Sequence, residues 1–434
     1  MVQIQADLVV AGAALPTNPN EPVDLYVAKG RVLALLPNTP HSPPETPAVA
    51  HGARIISGKG LLLLPGLTDA HTHLREPGQE WKETIATGLA AAAKGGFVNV
   101  MCMANTDPVN DQASVTTVML EKAAASHPTG PRLFPIGALT MGLDGRALAP
   151  MEELKRAGCR AFSNDGRPVA DAEIFRRALE YASDLKIVVI DHCEDPFLAP
   201  GAGINEGVTS ARLGLRGAPV AGEAIQVARD CLLAQYLNVP IHLAHISCKM
   251  SVDAIRQAKA TGAPVTAETC PHYLTLTEEA CEGYDTNAKV NPPLRTREDQ
   301  LALLAALEDG TIDILATDHA PHAAHEKETP FGEAPNGISG LETALSLTWD
   351  LVGRGELSAQ AFLRAWCLRP AQIFGLPVNR FQPGDVADFI LFDPTNRWTV
   401  TERSLVSKGK NTPFLGKKLT GQVKAAFVAG QNVL

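Results

Sequence analysis

Short apolar segments alternate with helical segments through the middle of the chain, and this alternation constrains the fold more than any other feature. Eight segments have the length and composition of buried strands: residues 61–64, 97–101, 133–136, 159–162, 187–190, 240–243, 264–267 and 312–316. Apolar strands that alternate with helices predict a parallel sheet covered by helices. Eight such units within about 300 residues predict a (β/α)8 barrel. An open doubly wound sheet is the alternative, but no Gly-rich phosphate-binding sequence follows a predicted strand.

Both ends of the chain differ from this middle part. The first part of the sequence alternates short β-like runs with turn signals, and residues 387–393 and 423–430 have the same character. We therefore predict a small β domain built from residues 1–59 and 377–434, and a barrel domain of residues 60–376. A Pro-rich stretch at residues 37–47 predicts an exposed loop.

Composition narrows the functional classes. A net charge of −9 counts against a nucleic-acid-binding surface, which needs clustered Lys and Arg. No apolar run reaches the roughly 18 residues of a membrane helix. The first residues lack the basic and apolar segments of a secretory signal, so we expect a cytoplasmic protein. Eight cysteines without a C-x-x-C pair predict buried, reduced thiols rather than a thiolate zinc site.

Polar side chains follow most of the predicted strands at the point where each strand ends. Barrel enzymes collect their active-site residues at the C-terminal ends of the strands. In chain order, the residues at these positions are His71, His73, Arg75, Asn105, Asp165, His192, His245, Asp318 and His322. Imidazole and carboxylate groups suit zinc, and a carboxylate can bridge two ions. Four of these histidines and both aspartates are therefore candidate zinc ligands.

The pair His71 and His73 has the spacing of a shared metal site. Residues two apart in an extended chain point the same way, so both imidazoles can bind one ion. A single histidine after a strand is more often a hydrogen-bonded loop residue. Five of the twelve histidines, however, lie where a barrel site would collect them, and this coincidence favours a metal site.

The sequence around these positions resembles the dihydroorotase family. Residues 69–78, DAHTHLREPG, are similar to the metal signature of that family. Similar segments follow in the same order over essentially the whole chain: residues 104–106, 191–195, 244–247, 291–295, 316–322 and 411–414. Together they resemble the longer, class I bacterial dihydroorotases. The resemblance implies a zinc-dependent enzyme of pyrimidine biosynthesis that interconverts dihydroorotate and N-carbamoyl-L-aspartate.

The resemblance also implies a metal centre with a bridging ligand. Hydantoinases, allantoinases and the shorter dihydroorotases use a carboxylated lysine there, whereas the matching residues 161–166 contain no lysine. Class I dihydroorotases use an aspartate, often within Asp-Asp-Gly. This chain has Asn164 before Asp165, and we expect Asp165 to be the bridge. The implied ligand sets are His71, His73, Asp165 and Asp318 for one zinc ion, and Asp165, His192 and His245 for the other. Two ions are expected, although some members hold one.

Catalytic and substrate-binding roles follow from the same resemblance. Asp318 is the candidate general acid and base, and the alternative is that it is only a ligand. Arg75 offers a planar fork for the carboxylate on the substrate ring, and the alternative is a surface salt bridge. Asn105 and His322 are the family's other carboxylate partners. Asn291 resembles the residue that contacts the ring.

The loop at residues 330–340 follows His322 in the sequence and contains Gly and Pro. It either helps to close the site or is an ordinary connector.

Two alternative functions stay open. A hydantoinase-like or allantoinase-like enzyme would share the fold, but Arg75, Asn105 and Asp165 count against it, because those families recognise ureide rings and use a lysine bridge. An inactive relative that scaffolds aspartate carbamoyltransferase would have lost metal-site histidines, which this chain keeps. A second copy of the chain and an aspartate carbamoyltransferase are candidate partners of the active enzyme.

Overall fold

A computed structural model describes residues 4–39 and 45–434. The strands in these ranges are β1 (Ala6–Leu15), β2 (Asn18–Ala28), β3 (Arg31–Pro37), β4 (Val49–Ser57), β5 (Leu62–Pro65), β6 (Leu67–Thr72), β7 (Phe97–Cys102), β8 (Arg132–Ala138), β9 (Ala161–Ser163), β10 (Val188–Asp191), β11 (Ile204–Asn205), β12 (Gly217–Ala218), β13 (Ile241–Leu243), β14 (Val265–Thr269), β15 (Ile314–Leu315), β16 (Phe389–Thr399), β17 (Lys418–Val428) and β18 (Gln431–Asn432). The predicted small β domain and the predicted Pro-rich loop include residues 1–3 and 40–44, which lie outside the described residues.

Helices follow most of the barrel strands. The α-helices are α1 (Ile85–Gly95), α2 (Ala113–Ser126), α3 (Met151–Ala157), α4 (Ala172–Asp184), α5 (Val208–Leu213), α6 (Val220–Leu237), α7 (Lys249–Ala260), α8 (Pro271–Thr275), α9 (Arg297–Asp309), α10 (Ala324–Lys327), α11 (Leu341–Gly353), α12 (Ala359–Leu363) and α13 (Arg369–Phe374). Short 3₁₀ helices cover Met141–Leu143, Glu278–Tyr284, Thr286–Ala288 and Glu402–Ser404, and a π-helical turn covers Arg364–Leu368.

Eight strands form a parallel sheet that nearly closes into a barrel. Their order is β6-β7-β8-β9-β10-β13-β14-β15, so strands that follow one another in this set are also neighbours in the sheet. The pairings between them are parallel. A parallel bridge between Thr72 of β6 and His319, which follows β15, brings the first and last strands together. The predicted (β/α)8 architecture is therefore confirmed.

The predicted first barrel strand, at residues 61–64, is wrong. This segment forms β5, which pairs with β16 and β1 in a different sheet. The first barrel strand is β6, which contains Asp69 and His71. Gly66 separates the two strands and packs so closely on Val98 that an added Cβ would lie 2.4 Å from Val98 Cγ2. The all-apolar strand β5 is buried in the sheet that β1 and β16 also form. Strand β6, which carries polar residues, belongs to the barrel.

Strands from both ends of the chain form the second eight-stranded sheet. Its order is β18-β17-β16-β5-β1-β2-β3, and β4 pairs with β1. Val10, Leu25, Leu63, Phe389 and Phe427 belong to one buried cluster in this sheet, and the two phenylalanine rings stack with centroids 4.4 Å apart. The division of the chain at residues 59/60 and 376/377 stays a prediction, and β5, at Leu62–Pro65, lies beyond the first of these boundaries.

An apolar layer fills the barrel interior below the strand C-termini. Ala70, Met101 and Ile190 of three barrel strands belong to one buried cluster with Phe374 of α13. The Phe374 ring meets the His242 ring edge-on, with centroids 5.3 Å apart. This layer supports the polar residues above it, because close-packed interiors leave little room for side chains to shift.

The eight cysteines all lie within the described residues, and each is buried and free of a disulfide bond. Burial is the main cause that raises the pKa values of the Cys159, Cys231 and Cys367 thiols above their usual range. The prediction of buried, reduced thiols is confirmed. Among the described residues, no helix combines the length and the hydropathy that a membrane crossing requires.

Replacing Gly66 with Ala should lower the free energy of unfolding by about 1–3 kcal/mol, because the new Cβ overpacks against Val98 where the chain passes from β5 to β6. Denaturant unfolding measures this. Gly353→Ala is the matched control, since nothing lies within 4 Å of a Cβ at that position. Equal stability of Gly66→Ala and the unsubstituted protein would contradict the expectation.

Candidate active site

The six residues predicted as metal ligands meet at the C-terminal end of the barrel. All six are buried. They are His71 and His73 at the end of β6, Asp165 after β9, His192 after β10, His245 after β13 and Asp318 after β15. Because parallel strands of a barrel end at the same face, residues far apart in sequence converge here.

Asp165 lies at the centre of this group. Its Oδ1 atom is 3.4 Å from His71 Nε2, 3.5 Å from His192 Nδ1 and 3.4 Å from His245 Nε2. Its Oδ2 atom is 3.5 Å from His73 Nε2. The carboxylate therefore contacts four imidazoles, three through Oδ1 and one through Oδ2. Two sets of ligand atoms converge around it, His71 with His73 and Asp165, and Asp165 with His192 and His245.

Asp318 adds a second carboxylate to the first of these sets. Its Oδ1 atom is 3.0 Å from His73 Nε2 and 3.5 Å from His71 Nε2. Asp318 and His245 have φ values of 46° and 34°, in the left-handed region that residues other than glycine rarely adopt. Strained backbone of this kind collects at functional sites, where it aims a side chain that a regular strand would point elsewhere.

The donor atoms fit a cation such as zinc. His71 Nε2 and Asp165 Oδ1 are buried and have no hydrogen-bond partner, whereas buried polar atoms in proteins are almost always paired. Imidazole nitrogen and carboxylate oxygen are the ligands that zinc accepts. Ligand atoms about 2.1 Å from a tetrahedral ion lie about 3.4 Å from one another. The separations between Asp165 and its imidazole neighbours are of that size.

The charges of the site balance one another. Burial raises the pKa of Asp165, but the imidazoles of His71, His192 and His245 outweigh it and hold the pKa well below its usual value. Burial likewise opposes ionisation of Asp318, yet the neighbouring His71 and His73 lower its pKa to about 2. Burial lowers the pKa of His71, and the surrounding carboxylates raise it well above its usual value. A metal that binds here would replace protons on the imidazoles, because ligands must be deprotonated.

Glu268, which is not among the predicted site residues, contacts two of the histidines predicted as metal ligands. Its Oε1 atom lies 2.6 Å from His71 Nδ1 and accepts a hydrogen bond from the His245 backbone N–H at 3.3 Å. Its Oε2 atom lies 3.1 Å from His242 Nε2. A carboxylate on Nδ1 leaves Nε2 of His71 directed into the ligand cluster. In the sequence, the feature that could have indicated Glu268 is its charge, because the other residues of β14 are uncharged.

A carboxylate, that of Glu194, also contacts His192. Its Nδ1 atom is 2.8 Å from His245 Nε2, and its Nε2 atom is 2.8 Å from Glu194 Oε2. Burial lowers the pKa of His192, but Asp165 and Glu194 raise it to about 10. Asn291 donates its amide N–H to Glu194 at 2.8 Å, which places this predicted substrate residue beside the predicted metal ligands.

A cavity of about 160 Å³ opens next to the ligand cluster. Its lining includes Arg75, Asn105 and Asn291, three of the four residues predicted to bind substrate. Asn105 Oδ1 lies 2.9 Å from His73 Nδ1, so this amide orients one ligand as well as lining the cavity. Asn336, from the loop at residues 330–340, also lines the cavity, and that loop is therefore part of the site wall.

Arg75 is buried beside the cavity, which contradicts the alternative of a surface salt bridge. Its Nε donates to the Pro321 carbonyl at 3.2 Å. Among the residues that the structure describes, no carboxylate lies within the 4.0 Å of an ion pair with Arg75. A buried guanidinium without a carboxylate partner is costly, and an anionic ligand in the cavity would satisfy it.

His322, the fourth predicted substrate residue, lies behind Arg75. Its Nε2 atom is 3.4 Å from Arg75 Nη2 and 2.9 Å from the Asn336 carbonyl oxygen. Burial and the Arg75 charge lower the pKa of His322 to about 2, so its imidazole is neutral. Its Nδ1 atom is buried and has no hydrogen-bond partner.

A third group of metal-capable side chains lies outside this site. Asp191, Cys193 and Asp230 place their ligand atoms within 4.8 Å of one another. The Arg229 guanidinium already donates to Asp191 at 3.3 Å and to Asp230 at 2.8 Å. Burial and the two carboxylates raise the pKa of Cys193 well above its usual value, which keeps the thiol protonated. Arg229 therefore supplies the positive charge that a metal ion would bring.

The chain is similar to known proteins both in sequence and in fold. The family model described as dihydro-orotase-like matches residues 60–251. A dihydroorotase of Geotalea daltonii is 49% identical over 416 residues, which cover 96% of each chain. A dihydroorotase of Geobacter metallireducens is 49% identical over 382 residues, covering 88% of this chain and 90% of the relative. An L-hydantoinase (dihydropyrimidinase) from Arthrobacter aurescens has a similar fold, with a TM-score of 0.85, 23% identity, and coverage of 99% of this chain and 96% of the other.

Replacing Glu268 with Gln should weaken zinc binding about 10- to 100-fold, because the partner that orients His71 loses its charge. Competition with a chromophoric chelator measures the affinity without any assay of activity. Glu278→Gln is the matched control: Glu278 is a buried carboxylate that accepts hydrogen bonds from Asn205 and Thr209, away from the ligand cluster. Zinc affinity of Glu268→Gln within twofold of the unsubstituted protein would show that this carboxylate does not support the site.

Proposed function

The chain belongs to the dihydroorotase family, and on this premise we propose that it interconverts dihydroorotate and N-carbamoyl-L-aspartate in the cavity of its barrel. It is an enzyme that opens and closes a cyclic amide. The observation that carries the choice of substrate is the buried Arg75 guanidinium beside the ligand cluster, without a carboxylate partner among the described residues. The carboxylate on the dihydroorotate ring is an anion of the matching shape.

We assign two zinc ions to the ligand cluster. One would be held by His71, His73, Asp165 and Asp318, and the other by Asp165, His192 and His245. The central position of Asp165 among four imidazoles supports a bridging role for its carboxylate. A bridge of this kind, in place of a carboxylated lysine, is the basis for placing the enzyme in class I. Zinc bound here would supply the acidification of a water molecule near neutral pH and the polarisation of the amide carbonyl.

Asp318 is the proposed general base and acid. Its side chain lines the cavity, and the low pKa keeps it anionic at neutral pH. In hydrolysis, a carboxylate oxygen of Asp318 would take a proton from the attacking water and deliver it to the ring nitrogen as the C–N bond breaks. Ring closure follows the same path in reverse, with Asp318 taking the proton from the carbamoyl nitrogen.

Four side chains would bind and orient the substrate. Arg75 would pair with the ring carboxylate through two parallel N–H groups. Asn105 lines the same cavity, and the engagement of its oxygen by His73 leaves its N–H groups to donate to the carboxylate. His322, which is neutral, would contribute a hydrogen bond rather than a charge. Asn291, which also lines the cavity, would contact the ring itself.

The alternative functions are less well supported. The likeness to the L-hydantoinase, at 23% identity, concerns the fold alone. A hydantoin ring carries no carboxylate for Arg75, and residues 161–166 contain no lysine that could be carboxylated. An inactive scaffold would not need the four imidazoles that surround Asp165. The homodimer, the aspartate carbamoyltransferase partner and the cytoplasmic location stay predictions.

Replacing Arg75 with Ala should lower kcat/KM for dihydroorotate about 10- to 150-fold, because a charge-assisted pair worth about 1.5–3 kcal/mol is lost. The same variant should act on dihydrouracil, which lacks the carboxylate, as the unsubstituted enzyme does. Steady-state kinetics on both substrates measure the difference. Arg212→Ala is the control, because Arg212 forms an exposed ion pair with Glu282. Unchanged activity of Arg75→Ala on dihydroorotate would refute the assignment.

Replacing Asp318 with Asn should lower kcat by about 10²- to 10⁴-fold, because the carboxamide cannot take up the proton. Zinc per chain is measured in parallel, so that loss of metal is distinguished from loss of proton transfer. Asp313→Asn is the matched control: Asp313 is a buried carboxylate just before β15, where it pairs with Lys259 and Arg369. Near-normal turnover of Asp318→Asn with intact zinc would leave Asp318 as a ligand only.

A further inference from the structure

Residues 330–340 form one wall of the substrate cavity, and we call this segment the cavity wall. Asn336 and Gly337 line the cavity directly. Gly337 has a φ of 141°, and a Cβ there would lie 2.7 Å from the Ala320 carbonyl oxygen. The wall therefore packs against the backbone that follows Asp318, and a shift of the wall changes the space beside the reacting groups.

On the barrel side, the cavity wall is held by backbone and amide contacts. Ala320 N–H donates to the Ile338 carbonyl at 2.9 Å. The Asn411 side chain donates to the carbonyls of Ala320 at 3.0 Å and Gly337 at 2.9 Å. Asn411 lies in the C-terminal segment that resembles the family, and its amide joins the wall to the end of β15.

A second set of contacts to the cavity wall comes from Lys289. Lys289 is buried, with 4% of its surface exposed. Its ammonium group donates to the carbonyls of Phe331 at 2.7 Å, Gly332 at 3.1 Å and Ala334 at 2.7 Å. An ammonium group has three N–H donors, so all of them are engaged by the wall. The Gly337 N–H donates in turn to the Lys289 carbonyl at 2.9 Å.

The aliphatic stem of Lys289 is closely packed along its length. A Cβ added at Gly203 would come within 2.3 Å of Lys289 Cε, so the aliphatic stem fills the space beside that glycine. A second buried lysine, Lys327, donates to the Pro335 carbonyl of the same wall at 2.7 Å. Among the described residues, neither lysine has a carboxylate within ion-pair distance. A buried ammonium paired only with carbonyls stabilises a fold poorly, which points to a role in function.

We propose that Lys289 is a positioning residue for substrate binding: its ammonium group and its backbone carbonyl both hold the cavity wall, and it lies two residues before Asn291, which also lines the cavity. One residue thereby links Asn336 and Gly337 of the wall to Asn291. The proposal rests on the proposed function, because the position of the wall matters through the substrate that fills the cavity. Lys289 does not touch the reacting atoms and acts through the wall.

The test compares Lys289→Met with the unsubstituted full-length enzyme. Methionine keeps the length of the stem and removes the donors. We expect amide hydrogen exchange at residues 330–340 to accelerate, and KM for dihydroorotate to rise about tenfold, the effect of losing hydrogen bonds to a charged group. Zinc per chain should stay the same, and kcat should change less than KM. A purely structural role would lower the folded fraction without this split between KM and kcat.

Lys259→Met is the matched control. Lys259 donates to Asp313 and to the Gly310 carbonyl, outside the cavity, so its loss should leave KM and exchange at residues 330–340 unchanged. If Lys289→Met does not fold, Lys327→Met removes a single hydrogen bond to the same wall and should show the same pattern with a smaller rise in KM.

A KM within twofold of the unsubstituted enzyme, or unchanged exchange at residues 330–340, would overturn the proposal. Failure of the proposed function is a separate result. In that case the unsubstituted enzyme would show no turnover of dihydroorotate, whereas hydrogen exchange and zinc content would still report whether Lys289 holds the wall.

Discussion

The structure depends on one cluster of contacts, the Asp165 carboxylate among the four imidazoles of His71, His73, His192 and His245. Five strands deliver these groups and Asp318 to the same end of the barrel. Bringing so many polar groups together in a buried site is unfavourable unless each is paired or binds a cation. Buried atoms without a hydrogen-bond partner remain in the cluster, among them His71 Nε2 and Asp165 Oδ1, and a cation bound there would satisfy both.

The rest of the barrel supplies the rigidity that this cluster needs. Glu268 orients His71 from below and contacts the backbone of His245, so that one carboxylate supports both halves of the ligand set. Beneath it, the apolar layer around Phe374 gives the polar residues a packed floor. Above it, Lys289 and Asn411 hold the loop that bounds the substrate cavity. The ligand cluster, the apolar layer around Phe374 and the cavity wall are thus stabilised by separate sets of interactions, and all three lie around one cavity.

The sequence predicts the barrel and the residues at its strand ends, because strand periodicity and the convergence of strand C-termini are local and geometric rules. The residues at 61–64 show where these rules fail, because a fully apolar strand can belong to either sheet. Only tertiary packing places this strand beside β16, in the sheet formed by both ends of the chain. Glu268 directly follows the predicted strand at 264–267, but a single carboxylate at a strand end does not by itself indicate contact with a histidine on another strand. Lys289 could not be found from pattern, since its acceptors are carbonyls some 40 residues further along the chain.

Anomalous scattering at the zinc edge, from crystals of zinc-loaded protein, would locate the zinc pair that we propose around Asp165. We expect two peaks, one on each side of the Asp165 carboxylate. One would lie between His71 and His73, and the other between His192 and His245. A zinc peak at Asp191, Cys193 and Asp230 with none beside Asp165 would refute a zinc pair at Asp165, as would zinc-loaded crystals with no anomalous peak inside the barrel.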